Sequence, residues 1–258
     1  MCFDHDSRPP IPPIEGGAMD GREVTLRSAD GTRFSAFRAR AADPTGVGIV
    51  ILPDVRGLHP YYEDLALRFA EHGVDAVAID YFARTAGLGR RGSTFQFAEH
   101  VPRTTWKGIQ SDVLAAAGYL RSREGGAVSR LFTVGFCFGG RAAFLTSMLD
   151  IDLAGVIGFY GNPVGQARNG MPAPAEVAEL MKAPILGLFG GADEGIPAHA
   201  IKAFDTSLTL ARVPHELITY DGAPHSFFDR KADEFARTSE RAWAKVITYI
   251  GAREQSSV

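Results

Sequence analysis

A cysteine set among glycines at the point where a strand gives way to a helix is a place for nucleophilic chemistry. Gly135-Phe136-Cys137-Phe138-Gly139-Gly140 is such a segment. The apolar run 131–136 reads as a buried strand, and helical spacing follows over 140–149. A turn this sharp strains its central residue, and the positions two before and two after must lack side chains for strand and helix to approach. The helix N-terminus favours thiolate over thiol, and the amide of Phe138 points at the position of a developing oxyanion. Stripped of these neighbours, Cys137 would read as a small buried hydrophobe, as most free cysteines are.

A thiol nucleophile needs a base, and the base needs a group to orient it. After the apolar run 185–189 comes Gly190-Gly191-Ala192-Asp193, and after 216–220 comes Asp221-Gly222-Ala223-Pro224-His225. Each stands behind its own strand, in the chain order nucleophile, acid, histidine. Taken singly, Asp193 reads as a helix-capping turn residue and His225 as a loop histidine; their positions behind successive strands favour a triad. The other six histidines (His5, His59, His72, His100, His199 and His215) make no metal-ligand spacing with cysteine or with one another, so no metal is expected.

The elements that must position these residues are short apolar runs alternating with helical spacing. Strands are expected at 47–52, 74–80, 131–136, 153–159, 185–189 and 216–220, and helices at 62–72, 105–121, 140–149, 199–209 and 233–250. The runs 24–26 and 34–39, separated by Asp30-Gly31, read as an opening hairpin. The expected class is α/β: a mostly parallel central sheet with helices on both faces and an N-terminal antiparallel hairpin. Residues 1–20, with Pro9-Pro10-Ile11-Pro12-Pro13, read as an extended lead-in, and 21–253 as a single domain. Ligands of such sheets bind at the carboxyl ends of the strands.

Composition narrows the partners. With 258 residues, 45% hydrophobic and 22% charged, the usage is that of a folded globular chain. The 27 Lys+Arg against 30 Asp+Glu give a net charge of −3, which lacks the basic footprint of nucleic-acid binding. No apolar stretch approaches the 18 or more residues of a spanning helix, and residues 1–17 carry early acids and prolines rather than a leader pattern. Two cysteines, Cys2 and Cys137, make no disulfide framework. A cytoplasmic protein with no membrane partner is expected.

Gly-Phe-Cys137-Phe-Gly-Gly, Gly-Ala-Asp193 and Pro-His225-Ser-Phe together resemble the three catalytic motifs of the dienelactone hydrolase family, cysteine-dependent members of the α/β-hydrolase fold, over about 24–250. The resemblance implies hydrolysis of a lactone or enol-ester through a thioester at Cys137, without a cofactor. It implies further that Asp54, in Leu52-Pro53-Asp54-Val55-Arg56-Gly57, stands where the family has a glutamate that pairs with the resting thiol. Val55 would then supply the second oxyanion amide, beside Phe138. Phe159-Tyr160-Gly161 is similar to the family's aromatic substrate wall, so Tyr160 is expected to line the site. Arg84, in Tyr81-Phe82-Ala83-Arg84, matches a substrate-binding arginine. The second binding arginine of the family falls on Asp229, so Arg230, one place later, is the residue expected to join Arg84 in binding an anionic substrate.

Chemistry restricts the substrate independently. Thiolate is a good leaving group as well as a good nucleophile, so its tetrahedral adduct reverts unless the departing oxygen is stabilised, as an enolate is. Activated esters and enol-lactones are therefore expected in preference to peptides. The excursion 86–102, rich in glycine and carrying Phe95 and Phe97, reads either as a lid over the site or as a rigid insertion. Two other readings stand beside the leading one: a broader carboxylesterase or thioesterase on the same triad, and a ligand-binding module in which Cys137 only senses.

Overall fold

The computed structural model describes residues 6–14, 18–229 and 231–252. Eight strands form one sheet: β1 (Ala18–Arg27), β2 (Arg33–Ala41), β3 (Val47–Leu52), β4 (Val74–Ile79), β5 (Arg130–Phe136), β6 (Leu153–Phe159), β7 (Ile185–Gly190) and β8 (His215–Tyr220). Their spatial order is β1-β2-β4-β3-β5-β6-β7-β8. The first two pairings are antiparallel and the remaining five parallel, as expected for an α/β-hydrolase sheet opened by a hairpin.

Every residue of β3, β4 and β7 is buried, so these strands read in the sequence as apolar runs, broken only at Asp75 of β4, which pairs with Arg40 at 2.9 Å. Burial of a Val, Ile, Leu or Phe side chain contributes about 1.5–3 kcal/mol, and these central strands supply the stiff frame on which the loops stand. β1 behaves differently. It starts at Ala18, inside the stretch expected to be lead-in, and pairs with β2 in the register Arg22↔Arg38 and Glu23↔Phe37. Its residues 20–23 are exposed, so a polar edge strand there shows no hydrophobic alternation to read.

Seven helices are described: α1 (Pro60–Glu71), α2 (Ala83–Ala86), α3 (Phe97–His100), α4 (Trp106–Arg121), α5 (Phe138–Thr146), α6 (Ala198–Leu210) and α7 (Ala236–Ala252). Pro60 opens α1 at a position where its missing N–H costs nothing, and Thr105 caps α4 by accepting from the amide of Gly108 at 3.2 Å. None of the described helices is long and apolar enough to cross a membrane.

The excursion 86–102, which holds α3, is fastened to the body. Arg91 ion-pairs with the fully buried Asp80 at 2.8 Å, donates to the Gly87 carbonyl at 2.6 Å and sits over the Phe95 ring at 5.0 Å. Phe95 in turn stacks on His100 at 4.9 Å, and Asn169 donates to the Val101 carbonyl. A buried ion pair at its root gives this segment the character of a packed insertion. The described lead-in lies along α1, where Arg8 pairs with Asp64 and the Ile14 amide donates to Glu71 at 3.0 Å.

Candidate active site

The site gathers at the carboxyl ends of β3, β5, β6, β7 and β8, which are consecutive in the sheet. Cys137 follows β5 and precedes α5, with φ +54° and ψ −111°, a backbone conformation that costs a residue with a side chain roughly 1–3 kcal/mol. Two backbone bonds hold it there. Its amide donates to the Phe159 carbonyl at 3.0 Å, and its carbonyl accepts from the Arg141 amide at 3.1 Å. The flanking glycines are required by contact: a Cβ on Gly135 would meet the Gly139 carbonyl oxygen at 2.0 Å, and one on Gly139 the Leu52 carbonyl oxygen at 2.1 Å. The strained turn read from the sequence is thus wedged between β3 and β6.

His225 follows β8, and its Nδ1 lies 2.6 Å from Oδ2 of Asp193, which follows β7. The other carboxylate oxygen of Asp193 accepts from the Gly195 amide at 2.9 Å. Asp193 is almost fully buried and His225 about one-quarter exposed. A carboxylate at Nδ1 makes that nitrogen the donor, which leaves Nε2 as the basic face of the ring. Tyr160 packs on the imidazole with ring centres 4.9 Å apart, at φ +36°.

The Phe159-Tyr160 wall expected from the sequence belongs to a wider aromatic layer, whose other rings, Phe136, Phe227 and Phe228, sequence reasoning missed. Phe136 stacks on Phe159 at 4.8 Å, Phe159 meets Phe228 at 4.7 Å, and Phe227 packs against Tyr160 at 5.7 Å. The rings join the residue before the cysteine to the residues after the histidine, so both loops share one floor. Their spacing along the chain gives no hint of this, because the partners come from different strands.

One cavity of about 290 Å³ is lined by Cys137, Phe138, Val55, Tyr160 and His225, together with Arg141 and residues of the stretch 162–171. Cysteine, histidine and both residues expected to give oxyanion amides therefore face a common space of small-molecule size. Such an arrangement can present a nucleophile, a base and two backbone donors to one carbonyl group.

Of the other expected site residues, Asp54 and Arg84 are each engaged by charged partners. The Asp54 carboxylate is taken up by Arg56, which reaches it through its amide at 2.8 Å, Nε at 3.1 Å and Nη2 at 2.8 Å. Nη2 of Arg56 also pairs with Asp229. All three groups are buried, and the Arg56 guanidinium lies over the rings of Tyr61 and Tyr62 at 5.5 and 5.7 Å. Burial pushes the Asp229 carboxyl up to about 7, against the pull of Arg56. Arg84 is not among the cavity-lining residues; its guanidinium donates to Asp30 at 2.9 Å and to both oxygens of the buried Asp112 at 2.7 and 2.9 Å. That placement differs from the one the sequence suggested, and the buried acid at 112, carried by α4, is its cause. Arg230 lies outside the described residues.

Comparison with known proteins adds independent findings. A model of the dienelactone hydrolase family matches residues 34–253. A protein of Escherichia coli (strain K12) named "Putative carboxymethylenebutenolidase" is 29% identical over 234 residues, covering 86% of this chain and 83% of the relative. One of the same name from Yersinia pestis is 28% identical over 233 residues, covering 88% and 86%. Among solved structures, one titled "Putative Dienelactone Hydrolase" from Klebsiella pneumoniae superposes with a TM-score of 0.76 at 26% identity, covering 89% of this chain and 99% of that one.

Proposed function

The chain belongs to the dienelactone hydrolase family of ester hydrolases, and from that premise we propose that it cleaves activated esters or enol-lactones through a thioester on Cys137. One observation carries the reading. The strained cysteine at the head of α5 shares its cavity with His225, whose Nδ1 is held by Asp193 at 2.6 Å.

The chemistry then runs in two balanced halves. The Cys137 sulfur, its proton taken by Nε2 of His225, attacks the acyl carbon; the carbonyl oxygen gains the electron pair and lies against the amides of Val55 and Phe138. Collapse of the adduct breaks the bond to the leaving oxygen, which departs as an enolate or phenolate and takes the proton from His225. Water then attacks the thioester while His225 accepts its proton, and that proton returns to sulfur as the acid leaves. Asp193 keeps the imidazole in the required tautomer and stabilises its protonated form throughout. Asp54 enters this reading as the carboxylate nearest in sequence to the oxyanion loop, where it adjusts how readily the resting thiol ionises.

The test is to trap the intermediate. A brief reaction with an aryl acetate, quenched in acid, is expected to add one acetyl group to the peptide containing Cys137. Cys137→Ala is expected to fall below about a hundredth of the wild-type rate, as removal of a triad nucleophile does. An adduct on another residue, or a Cys137→Ala variant that keeps more activity than that, overturns the proposal.

A further inference from the structure

Arg141 is buried in the wall of the same cavity, with only 6% of its surface exposed. Its guanidinium donates to the carbonyl oxygens of Val164 at 2.8 Å, Gln166 at 3.2 Å and Asn162 at 3.4 Å, while Nε finds no acceptor. No carboxylate among the described residues pairs with it. The other well-buried arginines differ: Arg38 has Asp20, Arg56 has Asp54 and Asp229, and Arg91 has Asp80. A second cation, the exposed Arg168, lines the cavity too, and no acidic side chain among the described residues does.

Peptide carbonyls offer a guanidinium dipoles but no countercharge, so the positive charge is felt across the cavity. Burial, and then the charge of Arg168, push the Arg141 pKa down, and the weaker opposing pull of Glu176 does not offset them. An anionic group entering the cavity would meet one buried and one exposed guanidinium on one wall. We propose that Arg141 and Arg168 form an anion subsite that directs the carboxylate of a charged ester or lactone toward the stretch 162–168, on the side of the cavity given by α5 and the loop after β6. This rests on the cavity being the hydrolytic site. It relocates charge recognition, because Arg84 is consumed by Asp30 and Asp112, and Asp229 is itself an acid.

The test compares isosteric aryl esters, 4-acetoxybenzoate with 4-acetoxybenzamide, and a second pair carrying the same carboxylate or amide on the acyl side. The quantity read is the charged-to-neutral ratio of kcat/KM for whichever pair the wild type discriminates better. Arg141→Met is expected to lower that ratio at least tenfold. Arg168→Gln, at an exposed position that does not hold the wall, is expected to lower it at least threefold, so the test survives if Arg141→Met fails to fold. Ratios within twofold of wild type in Arg168→Gln and in every folded Arg141 variant overturn the subsite even if all the esters are hydrolysed. If no ester is turned over, the hydrolytic reading fails, and calorimetric titration with benzoate decides the subsite: binding weakened at least threefold by Arg168→Gln supports it, and no binding, or unaltered binding, overturns it.

Discussion

Two buried arginines, one before and one after Cys137 in the chain, have opposite surroundings. Arg56, in the loop after β3, is locked between Asp54 and Asp229 and roofed by two tyrosine rings. Arg141, in the first turns of α5, is held only by carbonyl oxygens of the neighbouring loop. Burial alone therefore says little about what an arginine does. Carboxylate partners turn the first into a structural tie between the loop after β3 and the loop after β8, whereas carbonyl partners leave the charge of the second available to a ligand.

The sharpest way to break this contrast is to remove Arg56. Arg56→Met leaves two buried carboxylates facing each other and is expected to destabilise the fold by about 3–5 kcal/mol in urea unfolding. Adding Asp54→Asn and Asp229→Asn to that variant is expected to restore much of the loss. A single variant within about 1 kcal/mol of wild type would mean that Arg56 ties nothing.

A pH series sharpens the same point. Asp229, facing Arg56 and Asp54 from the loop after β3 and Tyr61 from α1, holds its proton up to about 7, against an ordinary 3.8. Because the folded state binds this proton more tightly than the unfolded chain, its contribution is complete below the ordinary value and is lost as pH rises through about 7. Between pH 5 and 8 the wild type is expected to lose about 2–3 kcal/mol relative to Asp229→Asn. Parallel stability curves for the two proteins would contradict this.

Arg84 offers a third comparison, since it belongs with Arg56 and not with Arg141. Arg84→Ala strips a bidentate partner from the fully buried Asp112 and is expected to cost about 1–3 kcal/mol of stability. The charged-to-neutral selectivity should move less than twofold. A selectivity loss matching that of Arg141→Met would return Arg84 to the substrate.

The smallest effect is expected at Asp54. With Arg56 already neutralising the carboxylate, Asp54→Asn should accelerate alkylation of Cys137 by iodoacetamide only about threefold, given how strongly an ion pair offsets a nearby charge. A hundredfold acceleration would mean that the carboxylate acts on the sulfur directly.

Much of this architecture is legible in the chain itself, because a buried parallel strand is an unbroken apolar run and a site residue follows its end. Cys137 and Asp193 each occupy such a place, while His225 follows β8, an edge strand that mixes polar and apolar residues and is mostly half-buried or exposed. Partnerships are less legible: Arg56 and Asp229 are far apart in sequence, and nothing local shows that they meet. The same holds for Arg84 and Asp112, which sends an arginine read as a binding residue to an acid on α4. Arg141 left a faint signal, a lone charge before Ala142-Ala143-Phe144-Leu145 in a helix otherwise apolar on that side. A buried charge in such a run demands either an acid or a reason for having none.

The close approaches around the elbow also govern which changes this chain can accept over generations. Any replacement of Gly135, Gly139 or Gly140 adds a Cβ, and at each position that atom would lie within 2.5 Å of a backbone oxygen. Every single-base change that puts another residue in place of one of these glycines adds that atom, so selection must discard the amino-acid replacements arising there. Val164, Gln166 and Arg168 stand in an irregular stretch open to solvent or half-buried, where side chains can be exchanged without moving a strand. A library meant to find new substrates therefore gains most by randomising 164, 166 and 168 and holding 135–140 and Gly165, at φ +84°, fixed.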